Sequence, residues 1–371
     1  MKRPEKDAGP TTGAMSTEGT TGGDPQALAD LGWRTFFTAQ IADETEAELI
    51  PVRVMAVNRN GLLVSGAAVE TTVPPYLSIE GSETAQATVG DWLLVDPDTM
   101  RPERLLSRLS LFKRWAPGKG RMVQLIAANI DTLFVVTSCN LDFNVARLER
   151  YLAVAREADV TPVIVLTKAD LVDDVAPFVE TAAKLMPGLE VEVLDARDPE
   201  SARRLLPWCS HGRTVAFVGS SGVGKSTLIN SLIGSERAAT RGIRENDDKG
   251  QHTTTRRELY RLSSGGWLLD TPGMRELQLT NVKEGLGRVF AEITDLAKSC
   301  RFTDCQHGDE PDCAVRAAIA AGEMDAERLE RWRKLVAEEA ENSESLSMAR
   351  QRPARRSTAR PPRIREDTDE D

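Results

Sequence analysis

The run Gly219-Ser220-Ser221-Gly222-Val223-Gly224-Lys225-Ser226 follows the apolar segment Val215-Ala216-Phe217-Val218 and leads into residues with helical spacing. A glycine-rich turn between strand and helix lets backbone N–H groups approach phosphate oxygens, and the helix N-terminus adds a favourable dipole. In that setting Lys225 is expected to reach the β and γ phosphates and Ser226 to ligate Mg2+, with Thr227 completing the nucleotide-contacting set. About 45 residues on, Asp270-Thr271-Pro272-Gly273 closes another apolar strand. Alone it is a common turn. Beyond a phosphate loop it reads as a switch, with the Asp270 carboxylate near the metal and the Gly273 amide near the γ-phosphate.

Between these motifs lies Gly250-Gln251-His252-Thr253-Thr254-Thr255-Arg256. One threonine should close over Mg2+, and Thr255, directly before the arginine, is the expected one. A segment ordered by γ-phosphate and released on hydrolysis is an established kind of switch. Met274 stands where many GTPases carry a water-positioning glutamine, so intrinsic hydrolysis should be slow. Either His252 or a group from a partner then orients the attacking water, the plainer alternative for His252 being a solvated loop histidine.

Thr167-Lys168-Ala169-Asp170 is the candidate base-reading motif. A carboxylate accepts from guanine N1–H and the 2-amino group, donors that adenine does not offer in that arrangement, and a lysine stem packs beside the base. GTP is therefore expected over ATP. The usual first residue is asparagine, so Thr167 leaves one amide missing. The motif precedes the phosphate loop by about fifty residues, whereas most GTPases place it after. That order indicates a circularly permuted GTPase.

Cys300, Cys305, His307 and Cys313 fall within fourteen residues as CxxxxCxHxxxxxC. Four soft or borderline ligands fit a closed tetrahedral Cys3His zinc site, with no open position for a catalytic water, so the zinc is expected to be structural. Scattered thiols or a redox pair are the alternatives. Five cysteines in all speak against a disulfide framework, and Cys139 and Cys209, alone beside apolar strands, read as buried thiols.

These groups need elements to hold them. The 371 residues suffice for two or three domains. Residues 1–30 read as a disordered leader rich in Gly, Thr, Asp and Pro. Short apolar segments alternating with turns in 31–112 (Pro51 to Val57, Asn58-Arg59-Asn60-Gly61, Leu62 to Ser65, Val89 to Val95) predict a β-barrel of the OB-fold kind, able to hold oligonucleotides. Lys113, Arg114, Lys119 and Arg121 fall in a Pro/Gly-containing connector. Strands at Ile130 to Thr137, Pro162 to Leu166, Glu190 to Leu194 and Thr214 to Val218 alternate with helical patterns, and Glu258 to Leu262 with Trp267 to Leu269 reads as a hairpin. An α/β domain with a mostly parallel sheet over 113–280 follows. A small helical zinc-binding domain spans 281–345, and 346–371 is a tail with seven arginines between Ala349 and Arg365 and an acidic end. The net charge of -10 argues against coating of nucleic acid by the whole surface, though not against a local basic face. No apolar run approaches the roughly 18 residues of a membrane span, and a cytoplasmic protein with no membrane partner is expected.

At these residues the chain resembles the ribosome-small-subunit-dependent GTPase A family of circularly permuted bacterial GTPases. The resemblance runs from about Arg34 to Ala340 and rests on Leu111-Phe112-Lys113-Arg114, Ala127-Ala128-Asn129-Ile130-Asp131, Asn144 to Leu152, the nucleotide motifs, His252-Thr253-Thr254-Thr255 and the Cys3His cluster. It implies an OB-fold, a permuted GTPase and a zinc domain. It further implies hydrolysis of GTP to GDP, stimulated by the small ribosomal subunit and its rRNA during late maturation, by a monomer. Asp195-Ala196 departs from the Ser-Ala turn expected near the base. Competing readings are a GTP-dependent metal-delivery protein and a nonhydrolytic GTP-binding RNA module.

Overall fold

The computed structural model describes residues 24–42, 44–76, 84–115, 123–233, 257–270 and 282–350. A helix falls within the last residues of the expected leader. Pro25–Asp30 forms helix α1, with Pro25 in its first turn and the Asp24 side chain accepting from the Gln26 N–H at 2.9 Å. Leu28 and Leu31 are buried in the main core, which is why these residues do not belong to a disordered segment.

The barrel is built on β1 (Ile50–Asn58), which pairs antiparallel with β2 (Gly61–Gly66) on one side and with β4 (Trp92–Val95) on the other. β3 (Glu70–Val73) adds to β2, and β5 (Pro102–Leu105) adds to β4. Val52, Val54, Leu62, Val64, Val73, Leu93 and Val95 fill the interior. The β1–β2 turn falls at Asn58 to Gly61, where turn residues interrupt the apolar alternation. Of the expected connector, Lys119 and Arg121 lie outside the described residues, and the part before them is strand. Lys113 and Arg114 lie on β6 (Leu111–Trp115), antiparallel to β7 (Val123–Ala128), and Phe112 on β6 is buried.

In the central segment β8 (Thr132–Ser138), β9 (Thr161–Thr167), β10 (Glu190–Val193), β11 (Thr214–Val218) and β13 (Trp267–Asp270) are parallel, with β12 (Arg257–Arg261) antiparallel to β13. Their order is β10-β9-β8-β11-β13-β12. Among the described residues the flanking helices include α2 (Val145–Glu157), capped by the Asn144 side chain on the Arg147 N–H at 2.9 Å, α3 (Ala176–Ala183) and α4 (Lys225–Ile233). β8, β9 and β11 are buried along almost their whole length, as expected of strands covered on both faces.

The sheet does not stop at β12. Ala56 and Val57 of β1 pair with Glu258 and Arg257 of β12, so barrel and α/β segment share one continuous sheet. Arg53, buried on β1, donates to the Leu31 carbonyl at 2.6 Å and to Thr214 Oγ1 at 2.7 Å, tying the N-terminal helix to β11. The main core also crosses these segments, joining Trp92, Phe112, Leu133, Leu148, Leu286 and Leu329.

The C-terminal segment is helical: α5 (Lys283–Val289), α6 (Ala291–Ala297), α7 (Ala314–Ala320) and α8 (Ala326–Arg350), the last extending past the expected end of the zinc domain at residue 345. It is bolted to α2 by charge. Glu149, fully buried, accepts from Arg328 Nη1 at 2.7 Å and from Arg331 Nε at 3.0 Å. Arg328 also donates to the Leu185 and Val289 carbonyls and to Glu292, and lies 4.2 Å from the Phe290 ring centroid. Among the described residues no helix is long and apolar enough to cross a membrane.

Candidate nucleotide and metal sites

Every described nucleotide motif leaves the carboxyl end of a parallel strand. The Gly219 to Ser226 loop follows β11, Lys168-Ala169-Asp170 follows β9, Asp195-Ala196 lies just beyond β10, and Asp270 ends β13. In open α/β sheets ligands bind along this edge, so the topology gathers residues that the chain scatters over a hundred positions.

The loop has the backbone its composition demands. Gly219 has φ +142, and a Cβ there would lie 2.1 Å from the Val136 carbonyl oxygen. Val223 is buried and pins the loop to the core. The Lys225 ammonium donates to the Gly219 carbonyl at 2.8 Å and to the Ser220 carbonyl. Ser226 and Thr227 are exposed in the first turn of α4, and Asp270 is exposed at the end of β13. A hydroxyl and a carboxylate are the hard oxygen donors that suit Mg2+.

The candidate base-reading motif touches the glycine-rich loop directly. Thr167 Oγ1 donates to the Val223 carbonyl at 2.7 Å, with the Thr137 carbonyl at 3.2 Å. Lys168 follows in the left-handed region at φ +55, opening a 3-10 turn over Ala169–Leu171 that carries the partly exposed Asp170. A Cβ on Gly224 would lie 3.1 Å from Ala196 Cβ and 3.9 Å from Thr167 Oγ1, so loop, base motif and the turn after β10 meet at one point. Arg197 extends this turn, with its guanidinium 2.7 Å from Asp170 Oδ2. Sequence reading passed over it, although a basic residue two places after Asp195 was a signal. His252, Thr255, Gly273 and Met274 lie outside the described residues.

The metal-ligating candidates converge as expected. One ligand atom each from Cys300, Cys305, His307 and Cys313 lies within 4.8 Å of all the others. Cys300 Sγ and Cys313 Sγ stand 3.9 Å apart, and His307 Nδ1 is 3.6 and 3.5 Å from them. With Zn–S about 2.3 Å and Zn–N about 2.0 Å, tetrahedral edges come to roughly 3.8 Å for S···S and 3.6 Å for S···N, so this cluster could hold zinc. His307 takes a left-handed φ of +61, its carbonyl accepts from Arg333, and its ring lies 5.4 Å from that of Trp332. Burial, then the Arg333 charge, pushes the imidazole below its ordinary pKa and favours the neutral form a metal needs.

A parallel sheet with a phosphate loop on its central strand and a guanine-type motif on an earlier one defines a circularly permuted P-loop GTPase. The RsgA GTPase family model matches residues 105–280. A Mesorhizobium japonicum protein described as "Small ribosomal subunit biogenesis GTPase RsgA" is 50% identical over 329 residues, covering 88% of this chain and 93% of its own. A Vibrio parahaemolyticus "Small ribosomal subunit biogenesis GTPase RsgA 2" is 47% identical over 323 residues, covering 87% and 88%. The chain belongs to the RsgA GTPase family. Two solved structures share its fold: YjeQ from Thermotoga maritima, with TM-score 0.56 and 22% identity over 77% of this chain and 96% of that one, and YloQ, a circularly permuted GTPase, with TM-score 0.58 and 21% identity over 81% and 99%.

Proposed function

We propose that this protein hydrolyses GTP to GDP and phosphate during late maturation of the small ribosomal subunit, binding subunit rRNA and turning over faster on the subunit. The observation that carries the nucleotide part is the bond from Thr167 Oγ1 to the Val223 carbonyl, which couples a guanine-type motif to a phosphate loop. The relatives' names and their coverage of nearly the whole chain support the ribosomal part.

In this reading Gly219 to Thr227 cradle the phosphates with Lys225 facing the β and γ groups, and Thr167 to Asp170 read the base. Ser226 and Thr255 would hold Mg2+, with the Asp270 carboxylate near it, and the ion would supply neutralisation of developing phosphate charge. Gly273 senses the γ-phosphate, and His252 or a subunit group positions water. Cys300, Cys305, His307 and Cys313 hold one structural zinc that keeps the C-terminal helices in register. The barrel (31–112), GTPase (113–280) and zinc (281–345) segments act as one body through the shared sheet and the Glu149 contacts. The protein works in the cytoplasm as a monomer.

GTP turnover measured with and without purified small subunits tests the proposal. Acceleration on the subunit is the expected result. No turnover in either case would point to a nonhydrolytic module, and equal, measurable rates with readily exchanging zinc would point to metal delivery.

A further inference from the structure

Asp195 stands close to the base-reading carboxylate without a donor of its own to offer it. An ionised aspartate repels Asp170 where a hydroxyl would orient it. The next residue but one resolves this. Arg197 folds back on Asp195, its Nε 3.1 Å from Oδ1 and its Nη2 3.1 Å from Oδ2, while its own backbone N–H donates to Oδ1 at 2.9 Å. The same Nη2 lies 2.7 Å from Asp170 Oδ2. One guanidinium nitrogen therefore serves both carboxylates, and the Arg197 hydrogen bond, foremost among several contacts, holds the Asp195 carboxyl below its usual range.

We infer that Arg197 is a positioning residue for guanine recognition, bridging Asp195 to Asp170 and fixing the plane of the carboxylate that reads the base. The inference rests on Asp170 being that base reader. An ionised carboxylate has about four acceptor sites, so one bond to Arg197 leaves both Asp170 oxygens able to receive guanine N1–H and the 2-amino group. Ala196, between the two bridging residues, is buried against the phosphate loop, so the bridge hangs from a fixed turn and not from a free loop. The Arg197 side chain is 69% exposed, which keeps the effect modest and sensitive to salt.

Titration of the full chain with GDP, inosine diphosphate and xanthosine diphosphate tests the bridge. Arg197→Ala should weaken GDP binding about three- to fivefold at low salt. Inosine lacks the 2-amino group, so its binding should fall less and the preference for guanosine over inosine should narrow. Arg197→Lys should recover part of the loss. Adding Asp195→Ser to Arg197→Ala should restore GDP affinity, since it removes the opposing charge and supplies a hydroxyl. Unchanged or tighter GDP binding by a folded Arg197→Ala protein, or an unaltered guanosine preference, overturns the bridge. Asp170→Asn gives the separate control: an amide donates to the xanthine C2 carbonyl, so preference should move toward xanthosine diphosphate. Failure of that shift removes the base-reading assignment itself. The shift together with a silent Arg197→Ala removes only the bridge.

Discussion

Thr167 Oγ1 and the Val223 carbonyl oxygen lie 2.7 Å apart, joining the proposed base-reading motif to the glycine-rich loop across 56 positions of sequence. Thr167 is wholly buried, so the bond is shielded from water. The hydroxyl takes over part of what an asparagine amide supplies elsewhere: a single donor aimed at the loop backbone. The missing amide therefore costs a hydrogen bond but not the connection between the two halves of the site.

Replacing Thr167 with valine keeps the shape and deletes the donor. The Val223 carbonyl is then left with an unmade bond, at a cost of about 1–3 kcal/mol. Denaturant unfolding should register that loss, and GDP affinity should fall alongside it because loop and base motif are no longer held in register. A Thr167→Val protein of undiminished stability and affinity would show the bond to be incidental.

Glu149 is the buried acid on which two arginines of α8 converge. Glu149→Gln leaves Arg328, almost fully buried, without its buried charge partner, and removing one member of such a pair costs about 3 kcal/mol. Arg328 keeps its carbonyl partners and Glu292, so local detachment of α8 is expected before global unfolding. Hydrogen exchange should accelerate over α5 and α8 while the parallel strands stay protected. Uniform protection in the variant would mean that apolar packing alone docks the segment.

The zinc assignment predicts one zinc per chain by metal analysis. Cys305→Ser should lose it and lower the thermal stability of the C-terminal helices, since a structural site contributes about 10–16 kcal/mol of apparent binding energy. GDP affinity should stay close to that of the unaltered chain, because the described nucleotide motifs follow strands of the sheet. A protein purified without zinc yet fully folded would remove the metal centre from this fold.

Legibility in the sequence followed locality. The phosphate loop, the Cys3His cluster and strands such as Thr214–Val218 could be read because their signals lie within a few neighbouring residues. Helix α1 was missed because its six residues carry a weak pattern, and what orders it is burial of Leu28 and Leu31 in a core assembled from distant segments. β6 was hidden by the proline and glycines just beyond it. The pairing of Val57 with Arg257 and the salt bridges on Glu149 join residues nearly two hundred positions apart, and nothing in local spacing announces them. Arg197 escaped notice because its role depends on the geometry of two carboxylates on turns that follow different strands.

Lys225 offers the sharpest test of the phosphate site. Its ammonium donates to the Gly219 and Ser220 carbonyls, which holds a full positive charge against the loop proposed to cradle the β and γ phosphates. Lys225→Ala removes that charge without disturbing the glycines that shape the turn. GTP hydrolysis on the subunit should fall by about 10²-fold or more, the scale seen when one preorganised group facing a transition-state charge is deleted. Lys225→Arg should also be impaired, since a planar guanidinium cannot take the compact position of an ammonium 2.8 Å from the Gly219 carbonyl. Thermal unfolding separates a lost charge from a lost fold: both variants should melt near the unaltered protein. Turnover at the original rate in Lys225→Ala would place the phosphates elsewhere.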